Sequence, residues 1–171
     1  VGASGSGKTT LCNLIARFWD VNSGEIKIGR TNIKDYTVEN LMDNISMVFQ
    51  DVYLFEDTIE NNIKFGTQNA TKEDVIDAAK KAQCHDFIVS LPQGYDTFIG
   101  EGGASLSGGE KQRISIARAM LKDAPIIIFD EATANIDPEN EDKLKLAIES
   151  LTNNKTVIMI AHRLKTIRNA S

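Results

Sequence analysis

The sequence predicts an α/β fold built on a mainly parallel β-sheet, and three observations support this prediction. Residues 2–9 fit the pattern G-x-x-x-x-G-K-S/T, a glycine-rich loop that leads into a helix. Two short apolar runs, Ile126–Phe129 and Val157–Ala161, have the length of strands that are buried on both faces. A helical pattern lies between these runs, as expected when consecutive strands are parallel.

Length and composition indicate a single globular domain. The chain has 171 residues, of which 42% are hydrophobic and 25% are charged. Its net charge of −5 argues against a nucleic-acid partner, because proteins that bind nucleic acids are usually basic. No apolar run reaches the ~20 residues of a membrane span. Cys12 and Cys84 are isolated, without the spacing of a metal site, and we expect both to be packing residues.

The glycine-rich loop at the start of the chain is the first candidate site. Its glycines allow a tight turn that brings backbone N–H groups close to a polyphosphate. Lys8 supplies a cation for the β- and γ-phosphates, and the Thr9 hydroxyl can bind Mg²⁺. A helix predicted over Thr9–Arg17 directs its positive end at the anion. The predicted nucleotide-binding residues of this loop are Gly2, Ala3, Ser4, Gly5, Ser6, Gly7, Lys8, Thr9 and Thr10.

The first fifty residues continue with short alternating elements. A turn at Asn22–Gly24 precedes a strand predicted over Glu25–Gly29. We predict a short helix over Thr37–Asp43 and a further strand over Ile45–Phe49, which ends at Gln50.

The middle of the chain is helical and more polar. Thr71 to Asp74 predict a capped helix start that leads into Val75–Gln83, and a second helix over Cys84–Leu91 stops before Pro92. Strand patterns return at Ile126, followed by a helix over Pro138–Leu151. The sequence therefore predicts one domain over 1–171, with a core of 1–50 and 122–171 and an inserted helical subdomain of 51–121.

Two carboxylates stand at the end of the first apolar run. Asp130 and Glu131 follow a predicted strand at the sheet edge where open α/β folds bind ligands. In phosphate-loop enzymes an aspartate here holds Mg²⁺, and an adjacent carboxylate can activate the attacking water. Alone, the pair is better explained as a solvated turn. Behind a phosphate loop, it indicates a metal ligand and a catalytic base.

A second glycine-rich helix start precedes this strand by one helix length. In Leu106-Ser107-Gly108-Gly109-Glu110, two glycines expose backbone N–H groups just before a helix predicted over Lys111–Leu121. Such helix starts are common, and this one is weak evidence by itself. Its position before Asp130 makes Ser107, Gly108 and Gly109 further candidates for nucleotide binding.

Together these motifs resemble the nucleotide-binding domain of ATP-binding-cassette (ABC) transporters, over essentially the whole chain. The family's six landmarks occur in order: Walker A at Gly2–Thr9, the Q-loop at Gln50, the signature at Leu106–Glu110, Walker B at Ile126–Asp130 with Glu131, the D-loop at Ala134–Asp137 and the H-loop at His162. The segments 49–63 and 100–102 are similar to those of exporters. The resemblance implies a P-loop NTPase core that binds ATP and Mg²⁺ and powers export of an unidentified substrate.

The resemblance also implies a role for each matched residue. Glu131, His162 and Gln50 would be catalytic, and Thr9, Gln50 and Asp130 would hold Mg²⁺. Ser107 and Gly109 would touch the γ-phosphate of ATP held by a second ABC ATPase domain in a head-to-tail homo- or heterodimer. The other implied partner is the transmembrane domain, which places the chain at the cytoplasmic face of the membrane.

Contact with that membrane domain is expected from the helical subdomain, hinged near Gln50. Tyr53, Leu54, Phe55 and Glu101 are the candidates, and Phe55 is equally well explained as part of the subdomain's own core. Two non-transport alternatives remain: an ABC ATPase that acts on DNA or ribosomes, and a nucleotide-binding module without turnover. The absence of a sustained heptad pattern argues against the chromosome-maintenance type.

The sequence departs from the family pattern in three places. Glu110 replaces the usual glutamine of the signature, which is electrostatically acceptable at a helix start. The D-loop has Ala134-Asn135-Ile136 in place of Ser-Ala-Leu. The aromatic residue that stacks on adenine is expected upstream of Val1, so we expect a fragment that lacks N-terminal strands and the C-terminal end. Such a fragment should bind nucleotide poorly and hydrolyse it negligibly on its own.

Overall fold

The computed structural model of the chain describes residues 5–49, 51–67, 69–100, 106–130 and 138–160. Seven helices and seven strands lie within these residues, together with two short 3₁₀ turns at Ile33–Asp35 and Gly94–Asp96. In chain order they are α1 (Lys8–Ile15), β1 (Lys27–Ile28), β2 (Thr31–Asn32), α2 (Val38–Asp43), β3 (Ile45–Val48), β4 (Asp57–Thr58), α3 (Ile59–Lys64), α4 (Lys72–Lys81), α5 (His85–Ser90), β5 (Phe98–Ile99), α6 (Gly108–Lys122), β6 (Ile126–Asp130), α7 (Pro138–Thr152) and β7 (Thr156–Ile160).

The central sheet is parallel, as the sequence predicts. Its strands follow the order β3-β6-β7, so β6 has a partner on each side. Phe129 of β6 lies opposite Val48 of β3 and opposite Met159 of β7. The three strands therefore end together, at one carboxyl edge.

Both faces of β6 are buried, which explains its continuous apolar sequence. Ile127 and Phe129 belong to a hydrophobic cluster that includes residues of α6 and α7. Ile128 belongs to a second cluster with Cys12 of α1 and Leu41 of α2. Because successive side chains of a strand point to opposite faces, α1 and α2 cover one side of the sheet and α6 and α7 cover the other.

Most predicted helices and strands are confirmed to within a few residues. Thr71 caps α4 in a capping box with Asp74, and Thr37 caps α2. The strand predicted over Glu25–Gly29 is instead a small hairpin, in which β1 pairs antiparallel with β2. Gly29, with a φ of 61°, makes the left-handed turn between them.

The middle segment is not purely helical. Strands β4 and β5 pair antiparallel, with Asp57 opposite Ile99, and helices α3 to α5 lie between them in the sequence. Two-residue strands are too short to show alternation in a sequence, which is why this pairing was not predicted. Residues of this segment, such as Leu54 and Ile63, share one hydrophobic cluster with Phe129 of the sheet. Of the helices in the described residues, none has the length and apolar character needed to span a membrane.

Candidate functional site

The glycine-rich loop enters α1 through two glycines in the left-handed conformation. Gly5 has a φ of 76° and Gly7 a φ of 84°, and among the described residues a Cβ at either position would meet no atom within 4 Å. The backbone conformation by itself therefore requires glycine at both positions. The Gly7 carbonyl accepts the hydrogen bond from Leu11 N at 2.9 Å, which fixes the start of the helix.

The first turn of α1 is suited to an anion. It carries no acidic residue, and Gly7 provides no side-chain cap for its N–H groups. Lys8 is half-buried, while Thr9 and Thr10 are exposed. The loop residues Gly2, Ala3 and Ser4 lie outside the described residues.

The carboxyl edge of the sheet is the second part of the site. Asp130 is the last residue of β6 and lies opposite Ile160, the last residue of β7. The predicted catalytic residues Gln50, Glu131 and His162 lie outside the described residues, as do Glu101 and the D-loop residues 134–137. In the sequence each of the three catalytic residues stands one or two positions after the end of a strand of this sheet.

The charge of Asp130 acts on α1. Burial raises the pKa of the Cys12 thiol, and the Asp130 carboxylate raises it further. Thr9 stands three residues before Cys12 and so lies on the same side of the helix. A hydroxyl and a carboxylate are oxygen ligands of the kind that Mg²⁺ prefers, so the chemistry of Thr9 and Asp130 fits this cation.

The second glycine-rich segment begins α6, and its cap is a capping box. The Glu110 carboxylate oxygen Oε2 accepts hydrogen bonds from Ser107 N at 2.8 Å and from Ser107 Oγ at 2.9 Å. Ser107 Oγ in turn accepts the hydrogen bond of Glu110 N at 3.3 Å. Ser107 and Gly108 are exposed, and Gly109 is buried.

Helix α6 is attached to β3 at both ends of the strand. The side chain of Gln112, only 4% exposed, donates from Nε2 to the carbonyl of Phe49 at 3.2 Å. Lys122 Nζ donates to the carbonyl of Ile45 at 2.9 Å. The helix therefore runs antiparallel to β3, and its first turn lies towards the carboxyl edge of the sheet.

These contacts of α6 were not predicted. The available signal was the sequence of the helix itself, in which Gln112, Arg113 and Arg118 stand among apolar residues. Polar groups in such a buried helix need partners inside the protein.

An exposed cluster of aromatic rings, which we call the aromatic surface, consists of Tyr53, Phe55 and Phe65. Tyr53 is 53% exposed and Phe65 is 55% exposed. The Phe55 ring lies edge-on to Tyr53, with centroids 5.2 Å apart, and stacks on Phe65 at 4.2 Å. Phe65 was missed from the sequence. Leu54, predicted as a contact residue, is fully buried in the hydrophobic cluster, so that part of the prediction is wrong.

Arg118 joins α6 to the aromatic surface. Its guanidinium lies 5.7 Å from the Phe55 centroid and 5.5 Å from the Phe65 centroid. Its Nε donates to the Asn62 carbonyl at 2.8 Å. Burial lowers the pKa of Arg118 to about 10, which leaves the side chain charged at neutral pH. The aromatic surface is thus attached to the helix that begins at Gly108.

Known proteins are similar to this chain over nearly its whole length. The family model described as ABC transporter matches residues 1–134. An ATP-dependent lipid A-core flippase of Syntrophus aciditrophicus is 55% identical over 170 residues, which are 99% of this chain and 28% of that protein. A Staphylococcus aureus protein described as a multidrug export ATP-binding/permease protein is 52% identical over 170 residues, 99% of this chain and 29% of that protein.

A solved structure is similar in fold as well. A bacterial Atm1-family ABC exporter with ATP bound superimposes with a TM-score of 0.90 at 45% identity, covering 98% of this chain and 29% of that one. The chain thus spans less than a third of the length of the curated relatives it matches.

Proposed function

We propose, on the premise that this chain belongs to the ABC transporter family, that it binds and hydrolyses ATP to drive export of a substrate across a membrane. The observation that carries this proposal is the shared carboxyl edge of β3, β6 and β7, with Asp130 at the end of the middle strand. Ligands of open α/β sheets bind at this edge. The left-handed glycines and the first turn of α1, which has no side-chain cap and no acidic residue, support phosphate binding on one face of the same sheet.

In the proposed mechanism, the backbone of the glycine-rich loop and Lys8 bind the β- and γ-phosphates. Glu131 accepts a proton from the attacking water, a contribution of roughly 10²- to 10⁴-fold in rate. Gln50 orients that water, and His162 contacts the γ-phosphate and positions Glu131. Thr9 and Asp130, with Gln50, hold Mg²⁺, which supplies positive charge to the phosphates when bound.

The arrangement of α1 and α6 favours a head-to-tail dimer. Both helices begin at a glycine-rich segment, but they pack on opposite faces of the sheet. A single nucleotide at α1 therefore leaves Ser107, Gly108 and Gly109 unused within the same chain. In the proposed dimer these three residues contact the γ-phosphate of ATP bound to the second ABC ATPase domain.

The transmembrane domain of the transporter is the second proposed partner, and it holds the chain at the cytoplasmic face of the membrane. The aromatic surface is the proposed contact, because its exposed rings are attached to α6 through Arg118. In this proposal the segment 51–121 acts as a helical subdomain, hinged near Gln50 against a core of 1–50 and 122–171.

Exchange of the proposed base tests the ATPase assignment. In the full-length protein, Glu131→Gln should still bind ATP but hydrolyse it at least about 10²-fold more slowly, because the amide cannot accept the proton. Glu149→Gln removes the same charge from an exposed position on α7 and should hydrolyse ATP at the normal rate. Normal turnover in Glu131→Gln would contradict the assignment.

Crosslinking tests the proposed membrane contact separately. A cysteine introduced at Tyr53 should crosslink to the membrane domain in the intact transporter. Cys12 and Cys84 are buried and should not interfere. Val89 is equally exposed but lies on α5, outside the aromatic surface, so Val89→Cys is the matched control. Crosslinks from Val89 and none from Tyr53 would refute the proposed contact.

A further inference from the structure

The capping box of α6 involves the serine that the proposed function assigns to ATP contact. We propose that Glu110 holds the hydroxyl proton of Ser107, competes with the γ-phosphate of the second domain's ATP for it, and so sets the ATP concentration at which two domains close. This inference rests on the proposed function, and it concerns the regulation of that site.

The geometry shows where the proton is held. Ser107 N and Ser107 Oγ both donate to one oxygen of Glu110, at 2.8 and 2.9 Å. Ser107 Oγ also accepts the hydrogen bond of Glu110 N at 3.3 Å. The hydroxyl therefore uses its single proton and one lone pair within its own helix cap.

The chemistry of the two partners makes the contact exclusive. A hydroxyl has one proton to donate, and both an ionised carboxylate and a phosphate oxygen are acceptors only. Ser107 can therefore donate to Glu110 or to the γ-phosphate, but not to both. When the two domains close around ATP, the Ser107 hydroxyl exchanges one charged acceptor, the Glu110 carboxylate, for another, the γ-phosphate. The free energy of closure is therefore less favourable than it would be with a free hydroxyl.

A glutamine at position 110 weakens this competition and keeps the helix cap. Its amide oxygen is neutral and therefore a weaker acceptor than the carboxylate, and its Nε2 can donate a hydrogen bond to Ser107 Oγ, so the hydroxyl proton is released to phosphate more easily. Glutamine also satisfies the capping-box pattern, so the start of α6 should be retained. Glu110→Gln is thus a conservative change, and its main effect is on the acceptor of the Ser107 hydroxyl proton.

The chain contains a second capping box that serves as a matched control. In α4, Asp74 Oδ2 accepts hydrogen bonds from Thr71 N and from Thr71 Oγ1, both at 2.8 Å. Thr71 Oγ1 accepts from Asp74 N at 3.2 Å. Asp74→Asn therefore makes the same chemical change in the same kind of cap, in a helix that is outside the proposed nucleotide site.

Glu110 also carries a charge, and the test must separate that charge from the proton. The carboxylate acts on Arg113, which is buried one turn further along α6. Removal of the charge could by itself favour a nearby phosphate. Ser107→Gly removes the hydroxyl at little cost to the helix, because glycine is a good N-cap residue. Glu110→Gln in the Ser107→Gly background then reports the effect of charge alone.

The experiment measures ATP hydrolysis by the full-length protein against the concentration of Mg-ATP. Glu110→Gln should lower the KM for ATP by about fivefold, the value of roughly one net hydrogen bond, with a smaller change in kcat. Asp74→Asn should leave both parameters unchanged. In the Ser107→Gly background, Glu110→Gln should give no further decrease in KM.

Each other outcome has a definite meaning. An equal decrease in both backgrounds would show charge repulsion and overturn the proton competition. An unchanged KM in Glu110→Gln, together with a raised KM in Ser107→Gly, would overturn the inference and leave the proposed dimer contact standing. If Ser107→Gly itself leaves KM unchanged, the dimer contact of the proposed function is wrong as well.

Discussion

Removal of the Asn62 side chain should destabilise the segment that carries the aromatic surface. Asn62 is 1% exposed, and its side-chain amide forms hydrogen bonds with the backbone of the turn before α3. Its Oδ1 accepts from Phe55 N at 2.8 Å, and its Nδ2 donates to the carbonyls of Phe55 and Thr58, both at 3.0 Å. Arg118 Nη2 also donates to Asn62 Oδ1, at the longer distance of 3.4 Å. At about 1 kcal/mol for each of the three shorter hydrogen bonds, Asn62→Ala should lower the free energy of unfolding by about 3 kcal/mol.

Asn61 provides the control for this variant. It is the neighbouring residue of α3, but it is exposed, and its amide makes one hydrogen bond, to Asp57 Oδ1 at 2.8 Å. Alanine raises helix propensity equally at both positions, so the difference between the two variants isolates the buried network. Asn61→Ala should change the free energy of unfolding by no more than about 1 kcal/mol.

The assay is urea-induced unfolding of the chain, followed by circular dichroism. For a protein of this size, a loss of about 3 kcal/mol corresponds to a fall in Tm of roughly 6–12 °C, which thermal unfolding would confirm. Equal unfolding midpoints for Asn62→Ala and Asn61→Ala would refute the reasoning, because the buried amide would then contribute no more than an exposed one.

Two other variants test the glycine-rich loop and the buried thiol. In the full-length protein, Gly7→Ala should weaken Mg-ATP binding by roughly tenfold. Alanine at a φ of 84° is strained by about 1–2 kcal/mol, so the variant loop relaxes to another conformation and binding must restore the left-handed one at that cost. Titration calorimetry measures the change, and Gly29→Ala, at a φ of 61° in the β1–β2 turn, is the control that should bind normally. Burial raises the pKa of the Cys84 thiol from 9.0 to about 12. The unfolded chain therefore loses this proton first, and the free energy of unfolding should fall as the pH rises from 9.0 towards about 12. Urea unfolding across this window should show a weaker pH dependence for Cys84→Ala than for the parent chain, and identical slopes would exclude the thiol as the cause.

The sequence predicts the elements that have a strong local signal. The buried strands β6 and β7 were evident from continuous apolar runs, and the start of α4 from the Thr71 capping box. The phosphate loop was evident because its function requires glycine and lysine at fixed spacing. In each case the information lies within a few consecutive residues.

What could not be predicted depends on residues that are distant in the chain. Strands β4 and β5 pair across about forty intervening residues. Arg118 and Asn62 meet only because α6 packs on α3. Leu54 is buried and Phe65 is exposed for the same reason: local sequence shows that both are apolar, but only tertiary packing decides which one is covered. A single sequence therefore indicates the phosphate-binding chemistry more completely than the surface that would couple it to a partner.

The two hydrogen bonds between α6 and β3 require the spacing of the two donors on the helix to match the spacing of the two acceptor carbonyls along the strand. Gln112 and Lys122 are separated by about 15 Å of helix, and the carbonyls that they contact by about 13 Å of strand. A shift of α6 by one residue along its axis would move both side chains by about 1.5 Å and strain both contacts. The two contacts therefore hold helix α6 against sliding along β3. One residue inserted between Gln112 and Lys122 should therefore destabilise the fold far more than one inserted in the β1–β2 turn, which does not separate two such contacts.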